Sequence, residues 1–393
     1  MYRKQISPVQ IFIAGLAIFA MLFGGGNLIY PIKAGLLGGK NFIPSMIGFL
    51  LTSVCLPFMG LLAIILFDGD YRSFFYRIGR IPGSLLILMC MLVIGPIIAM
   101  PRILTVSHAM LSPLLPANSF VVYAIVFLLI TFAGAFKENK IIALFGYFVA
   151  PVLLASLGII VVKGWYFVDP ITINPMSGLA AFRTNIRFGL STLDLFGTIF
   201  FGSLIVSIFK QNLKRATYIR ANTLMSMVLY AGLIGFALLG IVYVGMASLG
   251  LMHGMGLEHI NRPLLFSEVA LTVLGKSGAF IIVAAILMAC ISTAIALSAV
   301  VVEYLQRDVG RNKISYIPAL VFVLLLTFFF SLLGYDWILK ISVMTVEAIG
   351  VPIVITITFA NIAYKLAGFR PIKTPVAIVA LYTTFMFVWK LLV

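Results

Sequence analysis

Long apolar runs, rather than amphipathic periods, organise this chain. They lie near 8–32, 42–67, 82–112, 119–136, 141–163, 187–209, 219–249, 277–302, 314–333, 338–364 and 374–392. Most reach or approach the ~20 residues a helix needs to cross a hydrocarbon core of about 30 Å. Apolar and polar residues do not alternate, which argues against a membrane β-barrel. The pattern predicts an all-α integral membrane protein of about eleven transmembrane helices, one membrane domain over 1–393. The connections are short. The two longer ones, 164–186 and 250–276, leave no room for a soluble catalytic or DNA-binding domain.

Two runs interrupt their own apolar continuity. The first carries Gly24-Gly25-Gly26-Asn27 in its middle, closed by Tyr30-Pro31. Each Gly costs about 1 kcal/mol against Ala in a helix, so three in succession predict unwinding. The sixth run, from Phe188 to Ser203, holds three Gly, several hydroxyls and Asp194. These two runs stand five helices apart and enter the membrane from opposite sides. That spacing predicts a five-plus-five inverted repeat with discontinuous first and sixth helices: 8–163, then 187–364, with 374–392 as an accessory last helix. In such folds the substrate and ions bind near the midplane, where helices are broken.

Composition agrees with a membrane location. The chain is 63% hydrophobic and 10% charged, with a mean hydropathy of +1.19, whereas soluble domains carry roughly 45–50% apolar and about 25% charged residues. The net charge of +16 would suggest a nucleic-acid footprint in a soluble protein. Here, with the N-terminus inside, 17 of the 27 Lys and Arg fall on the cytoplasmic side, so the charge records orientation by the positive-inside rule. No nucleic-acid partner is expected; the partners are the bilayer and a small solute. Met1-Tyr2-Arg3-Lys4 and the run behind it read as a first span, the apolar part being longer than a signal peptide's ~7–15 residues. Cys55, Cys90 and Cys290 lie unpaired in apolar runs, and His108, His253 and His259 form no metal constellation.

Three stretches resemble the bacterial branched-chain amino acid:cation symporters. Phe19-Ala20-Met21-Leu22-Phe23-Gly24-Gly25-Gly26-Asn27-Leu28-Ile29-Tyr30-Pro31 is similar to that family's first-helix signature. Gly95-Pro96-Ile97-Ile98-Ala99-Met100-Pro101-Arg102 with Thr105-Val106-Ser107 resembles its third-helix motif, and Thr192-Leu193-Asp194 with Phe201-Gly202 its sixth. The resemblance implies the leucine-transporter type of inverted-repeat fold and import of a branched-chain amino acid by alternating access, in a bacterial inner membrane with the N-terminus cytoplasmic. The chain departs from the family in having eleven rather than twelve spans and in placing His108 after Ser107.

Site residues follow from the motifs. The amides of Gly24, Gly25, Gly26 and Asn27 are candidates for holding a substrate carboxylate, with Thr198 and Ser203 or freed carbonyls for its ammonium. Ile98, Ala99 and Phe201 are candidates for its side-chain pocket. In Ala289-Cys290-Ile291-Ser292-Thr293 the adjacent hydroxyls either bond back to their own helix or serve a cation. The spacing resembles the shared sodium site of the leucine-transporter fold, implying Ala20, Phe23, Ala289, Ser292 and Thr293 as ligands. Sodium is then the coupling ion, and no cofactor is expected. A proton-coupled carrier, or one for another neutral amino acid or small organic solute, is the alternative; Glu347 in the tenth run is its candidate proton site, or else a paired structural carboxylate. Arg102 and Asp194 are placed as an ion pair near the outer vestibule, either a buried structural pair or an outer gate. Neither an intramembrane enzyme nor a channel finds its constellation or filter in this sequence.

Overall fold

The computed structural model describes residues 8–137, 140–166, 176–214, 221–254, 257, 260 and 262–392. Arg3, Lys4, Arg215, Arg220 and His259, part of the charge and histidine reading above, lie outside the described residues. Helices cover every apolar run, and among the described residues there is no strand. Among the described residues, six helices are long and apolar enough to cross a bilayer alone: Gly25–Leu66, Arg80–Leu114, Ile141–Tyr166, Met225–His253, Lys276–Val309 and Tyr335–Ala367. Gly178–Leu190 and Asp194–Lys210 form a bent pair at 41°, and Pro8–Leu22, Phe120–Ala135, Tyr316–Ser331 and Lys373–Trp389 are shorter apolar helices.

Helix is the economical choice here because hydrocarbon supplies no partner for backbone N–H and C=O groups, so a spanning segment must satisfy them internally. Large side chains such as Val122, Leu129, Phe280, Phe329 and Leu381 stay exposed, where lipid is their solvent. The continuous buried core instead runs through the first, sixth and eighth spans.

Both predicted discontinuities are present, each shorter than the sequence suggests. The first span stops at Leu22, passes through extended Gly24, and resumes as Gly25–Gly38. Gly26 and Asn27 are therefore helical, and Tyr30-Pro31 does not close the helix, which continues through Pro31. The sixth span begins at Gly178, inside the segment read as a loop, breaks at Ser191-Thr192-Leu193, and restarts at Asp194. Leu193 has φ +63°, a left-handed conformation that costs a branched side chain roughly 1–2 kcal/mol.

The packing around the breaks is reciprocal. The seventh span, Ala221–His253, packs along both halves of the first, and the second span packs along both halves of the sixth. Glycines make these approaches possible. A Cβ on Gly35 would stand 1.8 Å from the Ala247 carbonyl oxygen, and one on Gly48 2.4 Å from that of Phe182. His253, read as a loop residue, ends the seventh span buried, with Nε2 2.9 Å from the Gly164 oxygen.

A third span is also irregular, although the sequence marked only two. Its helix widens to a π turn at Val93–Ile97, with non-helical dihedrals at Gly95 (φ −94°, ψ −129°) and Ile98 (φ −124°, ψ −64°). Pro96 lacks the N–H a continuous ladder requires. The tenth span carries a longer π segment, Ser342–Gly350, containing Glu347.

Candidate functional site

The broken first and sixth spans, together with the bent third and the eighth, enclose a small cavity. Gly24, Gly25, Gly26 and Asn27 line it from the first span, Ala99 and Arg102 from the third, Thr192, Leu193, Asp194 and Phe201 from the sixth, and Thr293 from the eighth. Its volume is about 40 Å³, room for a few waters at most.

At the first break the carbonyls lose their regular partners. The Gly24 amide donates to the Leu22 oxygen at 3.0 Å rather than to Ala20, and the Asn27 amide donates to Gly24 at 3.0 Å rather than to Phe23. The Ala20 oxygen accepts instead from Ser292 Oγ at 2.7 Å, across from the eighth span. Ser292 also lies within bonding distance of the Met288 and Ala289 oxygens, 2.7 and 3.2 Å, so this hydroxyl bonds back to its own helix as well as across to the first span. Thr293 differs. Its Oγ1 is buried with no hydrogen-bond partner, and a Cβ on Gly24 would lie 3.2 Å from it. An unpaired buried hydroxyl is costly. Hydroxyl and carbonyl oxygens are the ligands a hard cation takes, and the Thr293 hydroxyl with the oxygens at the first break is a donor set of that kind.

The amides divide into two pairs. Gly24 and Asn27, both assigned to a carboxylate above, are engaged with backbone oxygens, whereas those of Gly25 and Gly26 open the second half-helix without a backbone acceptor among the described residues. Helix N-termini favour anions through such free N–H groups.

Asn27 serves a different purpose. Its Nδ2 approaches Asp194 Oδ2 and Oδ1 at 3.1 and 3.3 Å, Tyr243 Oη at 2.5 Å and the Leu22 oxygen at 3.1 Å. Tyr243 donates to Asp194 Oδ2 at 3.1 Å. This fully buried cluster ties the first break to the sixth through the seventh span. Tyr243 escaped the sequence reading, since a lone Tyr within Ile241-Val242-Tyr243-Val244 carries no signal of a polar role.

The expected Arg102–Asp194 ion pair is absent among the described residues. Asp194 is satisfied by Asn27 and Tyr243, while Arg102 Nη2 reaches only the Thr192 carbonyl, at 3.5 Å. The side chains are held by different spans, and the bend at Gly95–Ile98 directs Arg102 toward the first break. Glu347 does have a partner: Ser191 Oγ donates to its Oε2 at 2.8 Å, from the sixth break, while Oε1 is buried without one.

Other expectations shift. Ala99 and Phe201 line the cavity; Ile98 is buried in the bend, outside the lining. Thr198 donates back to the Asp194 carbonyl at 2.6 Å. Ser203 lies away from the cavity, donating to the Gly69 oxygen at 2.5 Å beside a second, larger cavity of about 430 Å³ that also contacts Asp68, Arg72, Lys210 and Asp308. Ser203 faces Gly69, whereas Phe201, two residues earlier on the same helix, faces the central cavity.

The sequence profile described as "Branched-chain amino acid transport protein" matches residues 7–391. The branched-chain amino acid permease BrnQ of Corynebacterium glutamicum is 28% identical over 360 residues, which cover 91% of this chain and 82% of that protein. The branched-chain amino acid transport system 3 carrier protein of Pseudomonas aeruginosa is 28% identical over 379 residues, 95% of this chain and 85% of that one. Among solved structures, a Na+-coupled sialic acid symporter in a substrate-bound, outward-open state aligns with a TM-score of 0.61 and 13% identity, over 95% of this chain and 90% of that one. At that identity the likeness concerns the fold, an inverted-repeat transporter of the leucine-transporter type.

Proposed function

Because the chain belongs to the family of branched-chain amino acid transport proteins, a family of carriers rather than enzymes, we propose that it imports leucine, isoleucine or valine by sodium symport and alternating access. It does so as a multi-pass protein of the bacterial inner membrane with its N-terminus cytoplasmic. The observation that carries the sodium reading is Thr293: a buried, unpartnered hydroxyl beside the first break, next to the Ser292–Ala20 contact that joins the first and eighth spans. Ala20, Phe23 and Ala289 would supply carbonyl oxygens, Ser292 and Thr293 hydroxyl oxygens. A cation there would draw the eighth span onto the broken first span and fix the Gly25–Gly26 amides for the substrate carboxylate.

The test is labelled leucine uptake into proteoliposomes with sodium and pH varied independently. Wild type should require a sodium gradient, and the Ser292→Ala/Thr293→Val double variant should lose that requirement together with most uptake. Full sodium dependence in the double variant places the ion elsewhere.

Glu347 favours a second reading, in which protons drive transport. Its Oε1 is buried without a partner, and a proton there would remove the buried negative charge. Glu347→Gln mimics the protonated state, so proton-driven uptake should become independent of external pH, whereas sodium-driven uptake should keep its sodium response.

A further inference from the structure

The breaks explain most of the polar groups in the central cavity, but not Arg102. It is 6% exposed, lines the cavity, and points at the start of the second half of the first span: a Cβ on Gly26 would lie 3.2 Å from its Nη2. Nη1 has no hydrogen-bond partner, and Nη2 has only the long contact to the Thr192 carbonyl. Among the described residues no carboxylate comes within ion-pair distance of it. The carboxylates of the neighbouring breaks are engaged elsewhere, Asp194 by Asn27 and Tyr243, and Glu347 by Ser191.

Arginine keeps its charge in proteins, and a charge within a membrane span is normally paired. An unpaired guanidinium beside an internal cavity therefore calls for an anion that arrives from outside the chain. The Gly25 and Gly26 amides, lacking backbone acceptors, are beside the same spot. Guanidinium and paired amides together match the two oxygens of one carboxylate, which Arg can engage through a planar fork.

We propose that Arg102 binds the carboxylate of the amino-acid substrate, together with the Gly25 and Gly26 amides, rather than closing an outer gate with Asp194. The assignment rests on the amino-acid transport reading and names the group that recognises the substrate's main chain. The substrate then completes an ion pair that the empty protein lacks. Because Arg102 stands on the third span and the amides on the first, occupancy also pulls the two together.

The test is a substrate-by-residue cycle on purified protein. Competition against labelled leucine gives affinities for leucine and for leucinamide, which lacks the carboxylate, in wild type, Arg102→Gln and Arg102→Lys. In Arg102→Gln, leucine affinity should fall by roughly 10- to 100-fold, the range of a hydrogen bond to a charged group. Leucinamide, already weak in wild type, should change by no more than about threefold. Arg102→Lys, keeping charge without the fork, should recover part of the leucine affinity and, carrying the conservative change, covers a Gln variant that fails to fold. Equal losses for both ligands, or no loss for leucine, overturn the assignment and return Arg102 to a gating or structural role. Wild-type protein that binds no branched-chain amino acid instead removes the transport reading, and the assignment with it.

Discussion

The side-chain amide of Asn27 lies 3.1 Å from Asp194 Oδ2 and 3.3 Å from Oδ1, so the residue just after the first break holds the residue just after the second. The two broken spans are thus joined through one buried amide–carboxylate contact, with Tyr243 on its flank. A hydrogen bond to a charged group contributes about 1.5–3 kcal/mol, and groups within one network do not act additively.

Asn27→Ala and Asp194→Asn should therefore each lower the maximal rate of leucine uptake by at least about tenfold, the scale of that hydrogen-bond energy. The double variant should be little worse than the more damaged single one. Tyr243→Phe, which removes one donor and keeps the ring, should cost less. Initial uptake rates in proteoliposomes, normalised to incorporated protein, give the comparison. Losses that multiply across the pair would mean that the contact does not couple the breaks.

Asp308, at the end of the eighth span, accepts from Tyr71 Oη at 2.5 Å and pairs with Arg72 in the connection between the second and third spans, on the side proposed to be cytoplasmic. Burial, and then the Asp308 carboxylate, push the Tyr71 phenol above its ordinary value, so it remains a donor at physiological pH. Arg72 is 43% exposed, which limits the ion pair to about 1 kcal/mol or less. Asp308→Ala should shift the protein toward inward-open states by roughly fivefold, the change such an energy allows. A cysteine placed at Ser207, beside the larger cavity, should then react correspondingly faster with a membrane-impermeant thiol reagent applied from the cytoplasmic face. An unchanged rate removes this contact from the inner gate.

Close helix crossings make a separate stability prediction. Gly35 and Gly250 lie where an added Cβ would meet backbone oxygen, 1.8 Å from Ala247 and 1.9 Å from Ile32. Backbone cannot yield as a flexible side chain can, and small residues are what let membrane helices approach so closely. Gly35→Ala and Gly250→Ala should each lower the Tm in detergent by several degrees. Gly158→Ala, exposed and with nothing within 4 Å, should leave it unchanged or slightly raised. Equal thermal shifts at all three positions would show that the crossing does not depend on its glycines.

Sequence pattern carried the helices and the two main breaks because apolar length and consecutive Gly act locally, through desolvation and helix propensity. Asp194 and Arg102 were visible as costly intramembrane charges, but their partners were not. Partner choice depends on which way each span is rotated: Arg102 Nη2 stands at Gly26, while Asp194 is taken by Asn27 and Tyr243. Ser203 fell outside the cavity for a related reason: the sixth span restarts as a regular helix at Asp194, carrying later positions away from the break.

Side-chain selectivity should be set by Phe201. It lines the central cavity, and its ring lies over the preceding turn, where a Cβ on Gly197 would stand 3.2 Å from it. With about 40 Å³ available, a leucine side chain enters only if the lining moves, and a ring with two torsions is the largest group there able to swing. Phe201→Ala removes that wall. Leucine should bind more weakly, since a methylene of lost apolar contact is worth about 0.8 kcal/mol, while phenylalanine and tryptophan become effective competitors. Ser203→Ala, two residues on but bonded to Gly69 beside the other cavity, should leave the whole competition profile unchanged. Inhibition constants for a panel of neutral amino acids against labelled leucine read both variants on one scale. A Phe201→Ala profile that keeps the wild-type order of preference would put the side-chain pocket elsewhere in the bundle.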